Sequence, residues 1–318
     1  MQVMITDCNH KDVAMEKTVF AEANLEFALH QCKSEADVIK HCQGAVAVVN
    51  QYAPMNRKVF ENLPSLKCIV RYGVGYDNVN VDDATEFGIQ VCNVPDYGTH
   101  EVADHALALM LTLVRKLHIA LPATKAGSWD YKQTIPIRRA RAQTIGVLGV
   151  GRIGTAFAEK IAALGYKVIG YDIKWKDEPH LIPPTLEAVS FDELITTSDI
   201  ISIHTSLNET TRMLFDQKLF SQMKRGAILI NVSRGGIVDE GALLEALKSD
   251  QLASAALDVA KQEPVGADSP LLRHENLLVT PHMAWYSEEA ALEMKRKAAE
   301  EAVRFIRGEA VHNPINAV

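Results

Sequence analysis

At 318 residues the chain exceeds what one hydrophobic core usually serves, so two domains are expected. Its 47% hydrophobic and 23% charged residues fit a water-exposed globular protein, and a net charge of −7 without a basic stripe argues against nucleic acid as a partner. No apolar run reaches the roughly 18–20 residues that span a bilayer, and Met1–Asp7 lacks the basic and small-residue features of a secretory leader. No membrane partner is therefore expected.

In chain order, Val3–Asp7 is the first strand candidate, followed by Ala45–Val49, Cys68–Arg71 and Gln90–Cys92. Helical stretches at Glu35–His41 and Asn56–Asn62 lie between them, so the first hundred residues read as one small α/β unit. Thr99–Leu121 then places Val102, Ala106, Leu109, Leu113 and Leu117 at a helical period, predicting one long helix that bridges the domains. Pro122–Arg141 carries Pro, Gly, Trp and the Arg138, Arg139, Arg141 cluster, and reads as a connecting loop with a solvated basic face. A second series follows, with strands at Thr144–Leu148, Lys167–Tyr171, Ile200–His204, Ala227–Asn231, Ala253–Asp258 and Leu277–Val279. Helices start near Ile153, Phe191, Gln217 and Glu240. Six strands with intervening helices make a complete dinucleotide-binding domain. The amphipathic stretch Ser287–Arg307 is long enough to return to the first domain.

Cys8, Cys32, Cys42, Cys68 and Cys92 are odd in number, form no C-x-x-C pair and all lie in the first third of the chain. They read as buried free thiols of a cytoplasmic protein, and no histidine–cysteine spacing suggests a metal.

Strand Thr144–Leu148 runs directly into Gly149-Val150-Gly151-Arg152-Ile153-Gly154 and then a helix. In such a loop the first glycine makes the tight turn, the second admits backbone to a pyrophosphate, and the third lets helix and strand pack closely. The helix N-terminus supplies N–H groups and a favourable dipole for phosphates. Asp172 ends the next strand, 18 residues after Gly154; a carboxylate there accepts hydrogen bonds from a ribose 2′-OH and repels a 2′-phosphate. NAD is the expected cofactor, with Lys174 and Lys176 as countervailing charges.

A second constellation follows the later strands: Arg234 after Asn231-Val232-Ser233, then Asp258, Glu263 and the Thr280-Pro281-His282 turn. Carboxyl ends of strands face the ligand crevice of a doubly wound sheet, so these residues converge there. Reduction of a 2-oxo acid by hydride needs a cation for the carboxylate and a proton donor for the developing alkoxide. Arg234 offers a planar fork, His282 titrates near working pH, and Glu263 favours the imidazolium and orients its ring. Singly, each has an ordinary explanation as surface salt bridge, structural histidine or loop charge. Their succession in one domain gives them a common purpose.

Asn231-Val232-Ser233-Arg234-Gly235-Gly236-Ile237-Val238-Asp239-Glu240, Leu257-Asp258-Val259 with Glu263-Pro264, and Thr280-Pro281-His282 resemble the hallmark blocks of the D-isomer-specific 2-hydroxyacid dehydrogenases. The resemblance runs essentially end to end. Pro281–Glu288 and Val94–Thr99 are similar to the branch that holds C-terminal-binding proteins and phosphoglycerate-dehydrogenase-like enzymes. It implies an α/β fold of two doubly wound parallel sheets, with a Rossmann NAD-binding domain (99–286) inserted in a flavodoxin-like substrate domain (1–98 plus 287–318). It assigns catalysis to Arg234, Glu263 and His282. The cofactor set comprises Thr99, Gly149, Gly151, Arg152, Ile153, Gly154, Asp172, the His204-Thr205-Ser206 loop with Thr210, Val232, Ser233, Asp258 on the nicotinamide carboxamide, and His282. The substrate set is Arg71, Tyr72, Val74, Gly75, Arg234 and Trp285, with Arg71–Asn78 forming the loop whose N–H groups meet the substrate carboxylate. Tyr72 and Trp285 are equally readable as packing.

Many members of the family have proline where Ser206 stands, which weakens the transfer inside that loop. The chain ends at Val318 with no room for a regulatory C-terminal domain, so serine feedback is not expected. The Thr99–Leu121 helix is expected in a homodimer interface, with packing inside its own domain as the alternative. The partner is thus a small 2-oxo or 2-hydroxy acid. A second reading, an NAD-sensing scaffold like the C-terminal-binding corepressors, rests on the Trp285 segment.

Overall fold

The computed structural model describes residues 2–318, which fall into two units: the chain up to Gly98 together with Ser287–Val318, and Thr99–Tyr286. In the first, β1 (Val3–Ile5), α1 (Ala14–Glu22), β2 (Phe27–Leu29), α2 (Glu35–His41), β3 (Ala47–Asn50), α3 (Arg57–Asn62), β4 (Cys68–Arg71), α4 (Val81–Glu86) and β5 (Gln90–Cys92) alternate. The parallel sheet has the order β2-β1-β3-β4-β5, the flavodoxin-like arrangement. β3 and β4 are sandwiched by helices, so their runs Ala-Val-Val and Cys-Ile-Val are buried without alternation. Polar residues start the helices: Ser34 caps α2 in a capping box with Asp37, and Asn56 and Asn80 cap α3 and α4.

The second unit opens with α5 (Thr99–Val114) and α6 (Leu117–Lys125), continues through β6 (Thr144–Leu148), α7 (Arg152–Ala163), β7 (Lys167–Tyr171), β8 (Glu187–Ala188), α8 (Phe191–Thr197), β9 (Ile200–Ile203) and α9 (Gln217–Gln222), and ends with β10 (Ala227–Asn231), α10 (Glu240–Lys248), β11 (Leu252–Leu257) and β12 (Leu277–Val279). Its parallel sheet runs β12-β11-β10-β9-β6-β7-β8, with the direction of winding reversing between β6 and β9. One face of the sheet is covered by a core around Val102, Ala106, Met110, Phe157 and Ile161, the other by Leu194, Phe220, Leu243 and their neighbours. Each fully buried Ile, Leu or Phe contributes about 1.5–3 kcal/mol, which makes these two layers the main source of the unit's stability. The closing helix α11 (Glu288–Ile306), capped by Ser287, packs on α1, β3 and β4 of the first unit.

The strands expected at Cys68–Arg71, Gln90–Cys92, Thr144–Leu148, Lys167–Tyr171, Ala227–Asn231 and Leu277–Val279 have the observed bounds. β2 and β8 were not anticipated; both are short edge strands without alternation. The single helix expected over Thr99–Leu121 is corrected to two. Lys116 takes a left-handed φ of 53° and breaks the chain between α5 and α6, which meet at 65°. The connecting loop accordingly begins later than Pro122, which lies inside α6. Among the described residues no single helix is long and apolar enough to cross a membrane.

Candidate active site

The glycine loop sits at the carboxyl end of β6, where the winding of the sheet reverses. Gly149 has φ +85°, and a Cβ there would lie 2.6 Å from the Thr205 amide nitrogen. A Cβ on Gly154 would lie 2.1 Å from the Gly149 carbonyl oxygen. Gly151 caps α7 with open space around it, so backbone can approach a ligand there. These three environments match the three jobs that pyrophosphate binding demands. The Asp172 carboxylate accepts from the Val150 N–H (2.8 Å) and the Lys174 N–H (3.0 Å), which fixes it against the glycine loop. The residues present thus fit a dinucleotide.

The loop after β9 abuts the same glycine turn, with His204 N–H donating to the Leu148 carbonyl at 2.7 Å. Its imidazole packs at a 41° tilt against Phe157 (centroids 5.0 Å apart), and Nε2 lies 2.8 Å from Ser202 Oγ. An edge of the residue remains accessible, yet Nδ1 is buried without a partner, and that burial pushes the imidazole down to about 3. His204 is therefore held in its neutral form. Thr210 donates through N–H and Oγ to Asn208 Oδ1, and Thr211 Oγ donates to the Ser206 carbonyl, so the loop is cross-braced from within. Thr99 opens α5 and Arg152 opens α7.

At the end of β10, the buried Asn231 organises the next turn. Its Oδ1 accepts from the Ser233 N–H (3.1 Å) and Oγ–H (2.9 Å), while its Nδ2 donates to the Arg234 carbonyl (2.9 Å). Val232 is buried beside it, and Arg234 Nη1 donates to the Ser233 carbonyl at 2.8 Å.

Glu263 and His282 meet. Glu263 Oε2 lies 2.7 Å from His282 Nδ1, and Oε1 accepts from the Ala260 N–H at 2.9 Å. Burial works to raise the Glu263 carboxyl, but the hydrogen bond and charge of His282, the Ala260 N–H and the Arg234 charge together hold it below the usual carboxylate range. Carboxylate, imidazole and guanidinium thus share one electrostatic neighbourhood. With Nδ1 occupied, Nε2 is the nitrogen left to exchange a proton; it has no hydrogen-bond partner among the described residues.

Asp258 has a placement that the resemblance did not suggest. Its side chain, 1% exposed, accepts from the Thr280 hydroxyl (2.6 Å), the Met283 N–H (3.0 Å) and the Ala284 N–H (2.9 Å). It lies beneath the turn that carries His282. The Trp285 indole N–H donates to the His282 carbonyl at 3.1 Å, so Trp285 also secures that turn.

In the other unit, Arg71 Nε donates to Asn78 Oδ1 (3.3 Å), and its guanidinium lies over the Tyr52 ring (5.7 Å). Asn78 Nδ2 donates in turn to Asn50 Oδ1 at 2.7 Å. The N–H groups of Val74 and Gly75 have no acceptor among the described residues, as an anion-binding loop requires. For the Tyr72 side chain, the structure favours the packing alternative. It is 1% exposed and donates its hydroxyl to the buried Glu16 at 2.7 Å, so it packs the interior.

Missed from the sequence were Asn231 as turn organiser and His105, whose imidazole reaches Thr280 from α5. A lone asparagine at a strand end and a lone histidine in an apolar helix carry no spacing signal; only the fold pairs them with their partners.

Residues 107–284 match the model of the D-isomer specific 2-hydroxyacid dehydrogenase family's NAD binding domain. The chain is 40% identical over 270 residues to the D-3-phosphoglycerate dehydrogenase of Archaeoglobus fulgidus, covering 85% of this chain and 51% of that protein. It therefore spans about half the length of that relative. It is 37% identical over 283 residues to the glyoxylate reductase of Korarchaeum cryptofilum, covering 87% and 84% of the two chains. Among solved structures, the D-lactate dehydrogenase of Aquifex aeolicus complexed with NAD and lactic acid aligns with a TM-score of 0.89 at 27% identity, over 99% of both chains.

Proposed function

The chain belongs to the D-isomer-specific 2-hydroxyacid dehydrogenases, and on that premise we propose that it reduces a small 2-oxo acid to the D-2-hydroxy acid, or runs the reverse oxidation. The observation that carries this reading is the 2.7 Å pairing of Glu263 with His282 Nδ1. It leaves Nε2 to deliver a proton to the carbonyl oxygen as that oxygen gains charge, and it stabilises the imidazolium that must precede delivery. Bound NADH supplies the hydride that C2 receives. Arg234 holds the substrate carboxylate and keto oxygen through a fork that a lysine cannot reproduce. Gly149, Gly151 and Gly154 cradle the pyrophosphate, and the Asp172 carboxylate takes the ribose hydroxyls and disfavours a 2′-phosphate.

The test is NADH oxidation against glyoxylate, hydroxypyruvate, pyruvate, phosphohydroxypyruvate and bulkier 2-oxo acids, repeated with NADPH. Turnover of one or more of these acids, faster with NADH, is expected. Tight NADH binding with no turnover of any acid would favour the scaffold reading instead.

We also propose a homodimer. The apolar face of α5 is used inside its own unit, through Val102, Ala106, Leu109 and Met110. The unburied apolar surface lies farther along, at Leu121, Tyr131, Ile135 and Trp129, the last 93% exposed. A second copy is the occupant that suits this segment. Sedimentation should give twice the chain mass, and Trp129→Lys should weaken the association. A wild-type monomer at every concentration would sink the proposal.

A further inference from the structure

His282 is held in a backbone conformation that side chains rarely adopt, with φ 53°. Such a conformation persists only where the surroundings enforce it. Here the enforcing groups are on the page. The His282 N–H donates to the Asp258 carbonyl at 2.8 Å, the next two N–H groups donate to the Asp258 carboxylate, and the Trp285 indole takes the His282 carbonyl. Asp258 is the post around which the turn is tied.

What holds the post is a residue on a different element. His105, in the middle of α5, is largely buried, with Nε2 3.0 Å from Thr280 Oγ and 3.5 Å from Asp258 Oδ1. The Thr280 hydroxyl has one hydrogen, and its 2.6 Å donation to Asp258 Oδ1 claims it. Thr280 Oγ can then only accept from His105, so Nε2 carries a hydrogen in this arrangement. The direction of donation runs from His105 to Thr280 to Asp258, and from the Met283 and Ala284 N–H groups back to the same carboxylate.

We infer that His105 is a positioning residue for the acid/base histidine: acting through Thr280 and Asp258, it fixes the 280–284 turn and so the direction of the His282 imidazole. This rests on the reading of His282 as the proton donor. His105 touches neither substrate nor cofactor in this role. Its effect is geometric, and misplacement of a reacting group by about 1 Å costs about a hundredfold in rate.

The experiment compares His105→Leu with His105→Gln, and Thr280→Val with Thr280→Ser, in the full chain. Glutamine and serine keep the hydrogen-bonding groups that leucine and valine remove. Expected for the leucine and valine variants is a fall in kcat of about tenfold to a hundredfold. NADH affinity should stay within about twofold of wild type. The conservative variants should recover most of the loss. The double variant His105→Leu with Thr280→Val should be no worse than the worse single one, because both break one chain.

Amide hydrogen exchange across 282–286 supplies a readout independent of turnover. It should quicken in the leucine and valine variants and remain slow in the glutamine and serine ones. If wild type reduces no 2-oxo acid, the functional reading fails, and the exchange comparison still decides the positioning of the turn. Wild-type exchange in His105→Leu and Thr280→Val, or quickened exchange with an unchanged kcat in an active enzyme, would overturn the inference. Should His105→Leu fail to fold, the Thr280 pair carries the same comparison.

Discussion

The carboxylate of Glu263 lies against His282 Nδ1, and on the proposed function this contact orients the proton donor. On the proposed function, reduction consumes a proton that His282 delivers, so the reduction rate should fall as pH rises. Glu263 is held below the usual carboxylate range by its partners, and it is therefore ionised throughout the working range. Glu263→Gln keeps the shape but removes the charge that favours the imidazolium. The expected result is a lower kcat. His282→Ala removes the donor and should cost about a hundredfold or more. Steady-state rates from pH 5 to 10 check both. An unchanged kcat in Glu263→Gln would mean that the carboxylate does not support the proton transfer, and near-normal turnover in His282→Ala would remove it from the chemistry.

At the scale of elements, the turn Gly149–Gly154 is a packing device before it is a binding device. An alanine at 154 would place its Cβ 2.1 Å from the Gly149 carbonyl oxygen, which only a displacement of α7 from β6 relieves. Gly154→Ala should therefore weaken NADH binding by about tenfold or more, as the helix N-terminus leaves the phosphates. Unchanged NADH affinity by fluorescence titration would show that the helix adapts. This motif was fully legible in the sequence because strand, turn and helix are contiguous, and each glycine has a local reason. The Rossmann series and the succession Arg234, Glu263, His282 were legible for the same reason: each follows a strand. The break at Lys116 was not, since the apolar period runs through it and only a backbone angle marks the bend. Tyr72 stayed open between pocket and packing because its partner Glu16 lies far away in sequence. Asp258 and His105 depend on contacts between β11, the 280–284 turn and α5, which no spacing records.

For the molecule as a whole, two half-buried histidines weigh most on how stability responds to acid. His204, in the nucleotide unit, is pushed down to about 3 by burial. His10, in the other unit, is pushed down to about 4 by burial and by the charges of Lys295 and Arg71. In the unfolded chain both titrate near 6.5. Below that pH the unfolded state binds protons that the folded state refuses, so stability falls as pH drops from about 6.5 toward the folded values. At pH 5 the loss is on the order of 1–2 kcal/mol for each histidine. Glu16 works the other way. Burial raises its carboxyl, so its unfavourable charge is relieved as pH falls through the raised value. Glu263, held low, keeps its contribution until pH passes below the ordinary carboxylate range. Between pH 7 and 5 the histidines therefore dominate, and the denaturation midpoint should fall across that interval. His204→Gln should flatten the decline by removing one of the most strongly lowered groups. A midpoint constant from pH 7 to 5 in wild type would show that neither imidazole is as deeply shielded as its surroundings indicate.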